Sequence, residues 1–346
     1  MPISPVHQQV HDLFRGRVYL VGGAVRDYLL GHELVDYDFA TPLTPAEVEE
    51  IVRSSGRRPY LVGKRFGTVG FRVPVSNGYQ YIEVTTYRQE SYTPGSRKPD
   101  VEFTTDLETD LSRRDFTINA MALGVDGTIH DPFGGQADLQ AGVIRAVGNP
   151  KERFREDPLR ILRAIRFAAR YQFEVEAGTT KRIRSMRFEL LNVSRERWVQ
   201  ELDKILAGPH VKRALHLLME LGLWTVLIPD LSLQQDYDQN SDYHDFTLFE
   251  HTARVVERVP AENLNLRWAA LLHDLAKPFV PTPNKRGRTN YLHHDMLGAS
   301  LAEDVCRRLK FSNERRQFVV ETIRTHLQPD SLLKVYDDAG KKNPSE

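Results

Sequence analysis

The feature that most constrains this chain is the glycine pair inside Arg17-Val-Tyr-Leu-Val-Gly-Gly-Ala-Val-Arg-Asp-Tyr-Leu-Leu-Gly31. Val18 to Val21 is a short apolar, β-branched run, which predicts a buried strand. Gly22 and Gly23 let the backbone turn sharply, and Ala24 to Leu30 has the spacing of a short helix. A glycine turn feeding a helix start points free N–H groups outward, an arrangement suited to a polyphosphate. Asp36-Tyr37-Asp38 follows closely. On a strand, Asp36 and Asp38 leave one face while Tyr37 and Phe39 leave the other. Two carboxylates aimed at one point can hold a pair of Mg²⁺ ions, which activate a hydroxyl and stabilise a leaving oxygen in phosphoryl transfer.

Together, Gly-Gly-x-Val-Arg-Asp and Asp-x-Asp resemble the signature of the nucleotidyltransferases that act on RNA 3′ ends, the branch of the bacterial tRNA nucleotidyltransferases (CCA-adding) and poly(A) polymerases. The resemblance implies that Asp36 and Asp38 are the catalytic metal ligands and that Gly22, Gly23, Arg26 and Asp27 contact the nucleotide.

With 346 residues, the chain has room for two or three domains with packed cores. Its 47 basic and 47 acidic residues balance, so no global field announces a polyanionic partner. The balance is uneven, however: residues 151 to 220 hold 16 Lys/Arg against 10 Asp/Glu. Such local basicity suits an RNA backbone and also occurs on ordinary helical surfaces. Cys306 is the only cysteine, which excludes an internal disulfide and a thiolate-rich metal site. The first residues lack the basic-then-apolar pattern of a signal peptide, and no apolar run approaches the roughly 20 residues of a membrane span. A cytoplasmic protein with no membrane association is expected, and no obligate protein partner is evident.

Residues 1 to 15 read as a short helix. Thr44-Pro45-Ala46-Glu47 is a helix start with a capping box, running to about Ser55. Strands are expected at Tyr60 to Val62, Thr68 to Val75 and Tyr79 to Tyr87, the last two joined by Ser76-Asn77-Gly78. Glu83 alternates against Ile82 and Val84; it reads either as a third carboxylate beside Asp36 and Asp38 or as a solvated strand residue. Residues 89 to 104 are rich in turn formers and read as a loop. In the resembled family a loop at this point, with a pattern near Arg97-Lys98-Pro99, takes part in switching to ATP addition.

Three further stretches match the family in order. Asp110-Leu-Ser-Arg-Arg-Asp-Phe-Thr-Ile-Asn-Ala-Met-Ala122 offers Arg113 and Arg114 as donor forks for phosphate and Asp115 as an acceptor for a ribose hydroxyl, with Asn119 one turn on. Taken alone, it reads as a helix start. Asp131-Pro-Phe-Gly-Gly-Gln-Ala-Asp138 resembles the family's hinge motif and reads equally as a connector. Glu156-Asp157-Pro158-Leu159-Arg160 reads locally as an N-cap followed by a first-turn proline. An Asp and an Arg fixed at a rigid helix start can also match the Watson–Crick edge of a base. The resemblance implies that Asp157 and Arg160 select CTP and ATP in place of a template.

The next helix, Ile161 to Tyr171, carries Arg163, Arg166 and Arg170 as one basic stripe opposite Leu162, Ile165 and Ala169, a candidate RNA-binding face. Helices are expected at Thr180 to Arg187, Ser194 to Ala207 and Val211 to Leu221, with Ser194 to Arg197 resembling the family's fifth motif. Residues 229 to 245 read as a turn-rich linker. Six of the 12 histidines lie from His244 onward. The spaced set His251, His273-Asp274, His294 and His326 resembles the HD metal-dependent phosphohydrolases, with Asp330 a candidate for a last carboxylate. Imidazole plus carboxylate suits Ni²⁺ or Mn²⁺ better than Mg²⁺. Members of the RNA nucleotidyltransferase family keep this domain as an active hydrolase or as a structural remnant, and both readings stay open. Relatives with this arrangement continue with a helical tail, so how the tRNA elbow is held is left unassigned.

The expected architecture is α+β. A small mixed-sheet, polymerase-β-like nucleotidyltransferase head (1–140) precedes an all-helical neck and body (141–228) and a helical HD domain (245–335). The expected function is template-independent addition of CMP and AMP, from CTP and ATP, to the tRNA 3′ end by a two-metal Mg²⁺ site. The alternatives are a CC-only or A-only enzyme, a poly(A) polymerase, an HD phosphohydrolase with the head reduced to an RNA clamp, and a non-catalytic RNA-binding protein.

Overall fold

The computed structural model describes residues 3–91, 100–240 and 246–327. Arg97-Lys98-Pro99 and Asp330 lie outside them. The chain divides into two units, Met1–Arg160 with Phe173–Arg182, and Ile161–Gln172 with Ile183–Glu346.

The first unit opens with α1 (Pro5–Leu13), where Ser4 Oγ accepts from the His7 amide at 3.1 Å and proline occupies the first turn. The glycine-pair region becomes β1 (Tyr19–Val21) and α2 (Gly23–Leu29), and β2 (Tyr37–Thr41) follows. In α3 (Pro45–Ser54) the expected capping box is present, with Thr44 and Glu47 bonded reciprocally. β3 (Thr68–Val75) and β4 (Gly78–Thr86) form a hairpin in which Val75 faces Gly78 across the two-residue turn Ser76-Asn77. β5 (Arg88–Ser91) pairs with β6 (Asp100–Phe103) as a separate ribbon. After α4 (Leu107–Ser112) come a single 3₁₀ turn at Thr117–Asn119, then β7 (Ala122–Leu123) and β8 (Ile129–His130).

The sheet order is β3-β4-β2-β1-β7-β8, antiparallel except for the parallel β2–β4 pair. One face carries the core. Leu20, Phe39, Phe71, Ile82 and Val84 pack there with Val10 of α1, Phe14 at its C-cap, and Val48 and Val52 of α3. Tyr60–Val62, expected as a strand, contributes only a bridge from Tyr60 to Gly70, and Val62 is fully exposed. Tyr60 exchanges both backbone hydrogen bonds with Gly70, and the ladder pairing stops there. The stretch 110–122 is not a helix start either: Asp110 lies inside α4, and the chain leaves that helix at Arg113.

His7 is buried against the Phe39 ring, centroids 5.4 Å apart, with Nε2 lacking a hydrogen-bond partner. Burial and then the nearby His11 push its pKa down to about 4. A folded value below the unfolded one means that the unfolded chain binds the proton more tightly. Stability is therefore complete above pH 6.5 and falls as pH drops toward 4, by up to roughly 3 kcal/mol. H7L is expected to flatten the melting-temperature profile between pH 7 and 4.5. Equal slopes for wild type and variant would remove His7 as the cause.

The unit continues with α5 (Gly135–Ala141), β9 (Val143–Ile144), α6 (Pro150–Glu156) and the first residue of α7 (Arg160–Tyr171). β10 (Glu174–Val175) pairs in parallel with β9, and α8 (Ala177–Met186) follows. The motif at 131–138 is held from both ends. Asp131 accepts from the Gly135 and Gln136 amides at 2.6 and 2.8 Å. Asp138 accepts from Thr117 Oγ1 at 2.6 Å and from Arg145 Nε at 3.0 Å.

The second unit is built of helices: α9 (Arg195–Leu206), α10 (Val211–Glu220), α11 (Trp224–Leu227), α12 (Pro229–Ser232), α13 (Leu248–Arg258) and α14 (Leu264–Leu272). A short ribbon of β11 (Thr282–Pro283) and β12 (Thr289–Asn290) precedes α15 (His294–Arg308) and α16 (Asn313–Thr325). α14 is apolar nearly all round, as a helix buried among others must be, and it packs on α9, α13 and α16. The described part of the expected linker at 229–245 is packed structure. Leu231 is buried in α12, and Gln234 and Gln239 are buried as well. Their amides are satisfied internally: Gln234 bonds Thr252 Oγ1 and the Asp274 carbonyl, and Gln239 bonds Lys277 Nζ and the Phe246 carbonyl. These two polar side chains serve internal hydrogen bonds, while Gln235, Asp236, Asp238 and Asn240 are exposed. No helix of the described residues is long and apolar enough to cross a membrane.

Candidate active site

Asp38 lies on β2, and Asp36 sits one residue before that strand begins. The alternation of burial nevertheless runs through it: Tyr37 and Phe39 are buried and Asp36 and Asp38 are exposed. The parallel register places Asp38 directly beside Glu83 of β4. Protein crowded around the Asp38 carboxyl raises its pKa, and Glu83 and then Asp36 add to this by like charge, with Arg114 opposing. Glu83 is thus an electrostatic neighbour of the pair. A cation would relieve this crowding, so the residues present fit a divalent metal, although the three carboxylates do not draw together within 4.8 Å.

Gly22 takes a positive φ of 72°, a conformation open to glycine, and a Cβ there would lie 2.7 Å from Arg114 Nη1. A Cβ on Gly23 would lie 3.2 Å from Arg26 Nη2. The two glycines therefore admit two guanidinium groups to the turn. Arg26 binds Asp27 at 2.9 Å and Asn119 Oδ1 at 2.5 Å. Asn119 Nδ2 donates to Asp115 Oδ1 at 3.0 Å, and that oxygen also accepts the Phe116 amide at 2.9 Å. One buried chain thus joins Arg26, Asp27, Asn119 and Asp115 across 93 residues of sequence. Arg113 and Arg114 share the fully buried Asp110, to which Arg113 Nη2 donates at 2.7 Å and Arg114 Nη2 at 3.4 Å.

Asp157 is not the N-cap of a helix beginning at Pro158. It is the C-cap of α6, and its Oδ1 accepts from the Leu159 amide at 3.2 Å across the turn before α7. Proline restricts the residue before it to extended backbone, which ends α6 there. Arg160 donates to Glu156 at 2.7 Å, to the Arg153 carbonyl at 3.2 Å and to the Arg113 carbonyl at 2.8 Å. Glu156 also binds Arg153, whose other fork reaches the Ser112 carbonyl at 2.7 Å. The 156–160 motif is therefore tied to the backbone of the Arg113-Arg114 segment.

In the second unit Leu162, Ile165 and Ala169 are buried, and Arg163, Arg166 and Arg170 lie opposite as expected. Their settings differ. Arg166 is ion-paired to Glu201 at 2.8 Å, Arg163 lies over the Phe167 ring, and Arg170 is exposed. Ser194 precedes α9 without a side-chain capping bond.

His251, His273, Asp274, His294 and His326 converge, from α13, the end of α14, the start of α15 and the end of α16. Asp274 belongs to two ligand sets, one with His251 and His273, the other with His294 and His326. Nδ1 of His273, His294 and His326 each face a backbone carbonyl, Ala270, Tyr291 and Ile323, at 2.8, 2.6 and 2.6 Å. A carbonyl only accepts, so each Nδ1 carries the hydrogen, and in the neutral form that metal binding requires each ring would turn an Nε2 lone pair inward. His294 and His326 Nε2 face each other at 3.2 Å, and both oxygens of buried Asp274 lack a well-formed hydrogen bond. These donors fit a metal ion. Burial alone would raise the Asp274 pKa, but His273 and Lys277, whose Nζ is 2.8 Å away, hold it far below the carboxylate range. The cavity here, about 420 Å³, also includes Arg288 and Tyr291. Lys277, Arg288 and Asp110 were not singled out from sequence. The i, i+3 spacing of Asp274 and Lys277 was the available signal for one; the other two needed the fold.

Residues 18–145 match the poly A polymerase head domain, 172–234 the probable RNA and SrmB-binding site of polymerase A, and 243–340 the HD domain. Fold and site thus define an RNA nucleotidyltransferase head joined to helical and HD segments, families whose chemistry is metal-dependent. The chain is 38% identical over 319 residues to the multifunctional CCA protein of Neisseria gonorrhoeae, covering 90% of this chain and 74% of that one. It is 46% identical over 232 residues to the CCA-adding enzyme of Geobacillus thermodenitrificans, covering 65% of this chain and 55% of the relative. A crystal structure of the Bacillus stearothermophilus CCA-adding enzyme in complex with CTP superposes with a TM-score of 0.63 at 30% identity, covering 94% of this chain and 79% of the other. The chain belongs to the CCA-adding enzyme family of tRNA nucleotidyltransferases.

Proposed function

We propose that this chain adds CMP and AMP, from CTP and ATP, to the 3′ end of tRNA at the site around Asp36 and Asp38. The observation that carries the reading is Asp38 set beside Glu83 by the strand register, with Asp36 on the same face and Arg114 laid over the glycine turn. Asp36 and Asp38 would hold Mg²⁺, which when bound supplies activation of the attacking hydroxyl and neutralisation of the leaving pyrophosphate. Arg113 and Arg114 present fixed forks to the triphosphate, with Gly22, Gly23, Arg26 and Asp27 shaping its seat. Asp115, held by Asn119, accepts from the ribose. Asp157 and Arg160 read the base edge. The tRNA 3′-hydroxyl attacks the α-phosphorus in line, the bond to the β-phosphate oxygen breaks, and pyrophosphate departs. Arg163, Arg166 and Arg170 are proposed contacts to the RNA backbone.

The test is a tRNA lacking its 3′ end, incubated with CTP, ATP or both and resolved to single nucleotides. Two additions with CTP and a third with ATP are expected. Two alone, one adenosine alone or an unlimited adenosine tract identifies a CC-only enzyme, an A-only enzyme or a poly(A) polymerase. No growth with any nucleotide overturns the reading.

The converging Nε2 atoms favour a second activity, metal-dependent hydrolysis of a phosphoester or cyclic phosphate at an RNA 3′ end. His251, His273, Asp274, His294 and His326 would hold Ni²⁺, Mn²⁺ or a similar ion. H273A and D274A are expected to lose bound metal and to lower hydrolysis at least 10²-fold. Metal-free wild-type protein, with phosphatase activity unaffected by either change, would make the domain a scaffold.

A further inference from the structure

Asp110 opens the 110–122 stretch, yet it is neither one of the proposed metal ligands nor one of the proposed nucleotide contacts. It is fully buried and gathers the neighbouring cations of the head. Its Oδ1 accepts from Arg113 Nε at 3.0 Å, Arg113 Nη2 at 2.7 Å and the Arg88 amide at 3.3 Å. Its Oδ2 faces Arg114 Nη2 at 3.4 Å. Arg113 is further braced by Glu90, whose Oε1 it reaches at 3.1 Å and which also binds Arg88. Arg114 leaves this carboxylate to lie over the Gly22 turn, on the Asp38 side. Two long side chains that bind phosphate lose much conformational freedom on doing so, and a buried carboxylate that fixes both beforehand removes part of that cost.

We propose that Asp110 is a positioning residue for nucleotidyl transfer: it holds Arg113 and Arg114 in the geometry that receives the triphosphate, while touching no substrate itself. The two oxygens divide the work, one for Arg113 and the strand entering β5, the other for Arg114. The inference rests on Arg113 and Arg114 being triphosphate ligands.

The division makes D110N a selective probe. The Asn oxygen can still accept from Arg113 and the Arg88 amide, but its NH₂ meets Arg114 donor to donor. Hydrogen bonds to charged groups sit at the strong end of the range, so KM for both CTP and ATP is expected to rise about tenfold, with kcat changing less. The rise should be equal for the two nucleotides, because the triphosphate is common to them. R114A tests the underlying reading by itself. If R114A leaves KM unchanged, the triphosphate assignment fails, and this inference with it. If R114A raises KM and D110N does not, the assignment stands and the inference alone is overturned. The double variant D110N/R114A should be no worse than R114A, since the carboxylate acts through that arginine. Additive losses, or a fall in melting temperature with KM unchanged, would make Asp110 merely structural. Should D110A fail to fold, D110N with its conserved shape still decides the question.

Discussion

D38A is expected to abolish incorporation of CTP and ATP alike while the protein stays folded. Asp38 lies beside Glu83 across the β2–β4 register, with Asp36 two residues away on the same side. Loss of one electrostatic element of a transfer site lowers rate by on the order of 10²–10³, and a metal ligand is expected to lie at or beyond the upper end. The stability consequence has the opposite sign. A carboxyl whose folded pKa is raised above its unfolded value carries a charge that opposes folding at neutral pH. Removing it relieves the repulsion from Glu83 and Asp36, so D38A should melt at or above the wild-type temperature. Single-turnover incorporation and a thermal melt on the same preparation check both halves. Near wild-type incorporation by D38A would displace the catalytic site from this strand.

D157A should relax base choice. Cytosine and adenine share an amino group beside a ring-nitrogen acceptor, which Asp157 and Arg160 can meet with an acceptor and a donor. Uracil and guanine offer a carbonyl and a ring N–H in those places, so acceptor meets acceptor and donor meets donor. An unpaired buried polar group costs roughly 1–3 kcal/mol, and two such mismatches exclude UTP and GTP by about 10²–10⁴. The fold supplies the rigidity this needs: Arg160 is pinned by Glu156 and by the Arg153 and Arg113 carbonyls, and Asp157 is locked in its turn by the Leu159 amide. D157A should therefore lower kcat/KM for CTP and ATP and reduce the CTP/UTP ratio at least tenfold. A purely local role in closing the turn predicts instead a loss of about 0.5–1.5 kcal/mol of stability, the net worth of one hydrogen bond, with selectivity intact. A lower melting temperature with UTP still rejected as before would move base reading elsewhere.

Much of the local structure was legible because its causes are local. The capping box at Thr44 and Glu47, the two-residue turn between β3 and β4, and the alternation around Asp38 all depend on residues within four positions of one another. The buried face of α7, Leu162, Ile165 and Ala169, followed from helical periodicity in the same way. Where local signals were ambiguous, the reading failed. An Asp-Pro pair serves the end of α6 as well as it would serve the start of the next helix, and only the packed chain shows that Asp157 closes one helix before α7 opens at Arg160. The acidic, turn-rich run after Asp230 looks solvated, yet Gln234 and Gln239 are buried, because their partners come from α13, the chain after α14 and Phe246.

The sequence by itself carried the class of enzyme, through the order of its motifs, and the residue types available to a site: carboxylates at 36 and 38, arginines at 113 and 114, and the spaced histidines. Only the tertiary structure decided which of these groups meet. The parallel β2–β4 register that sets Glu83 beside Asp38, the Arg26–Asn119 bond, the Asp110 carboxylate beneath both arginines, and the convergence of four helix ends on Asp274 each join distant segments. Pattern along a chain specifies faces and ends of elements. Which faces pair is set by the burial and hydrogen-bond satisfaction of the whole fold, which no single stretch contains.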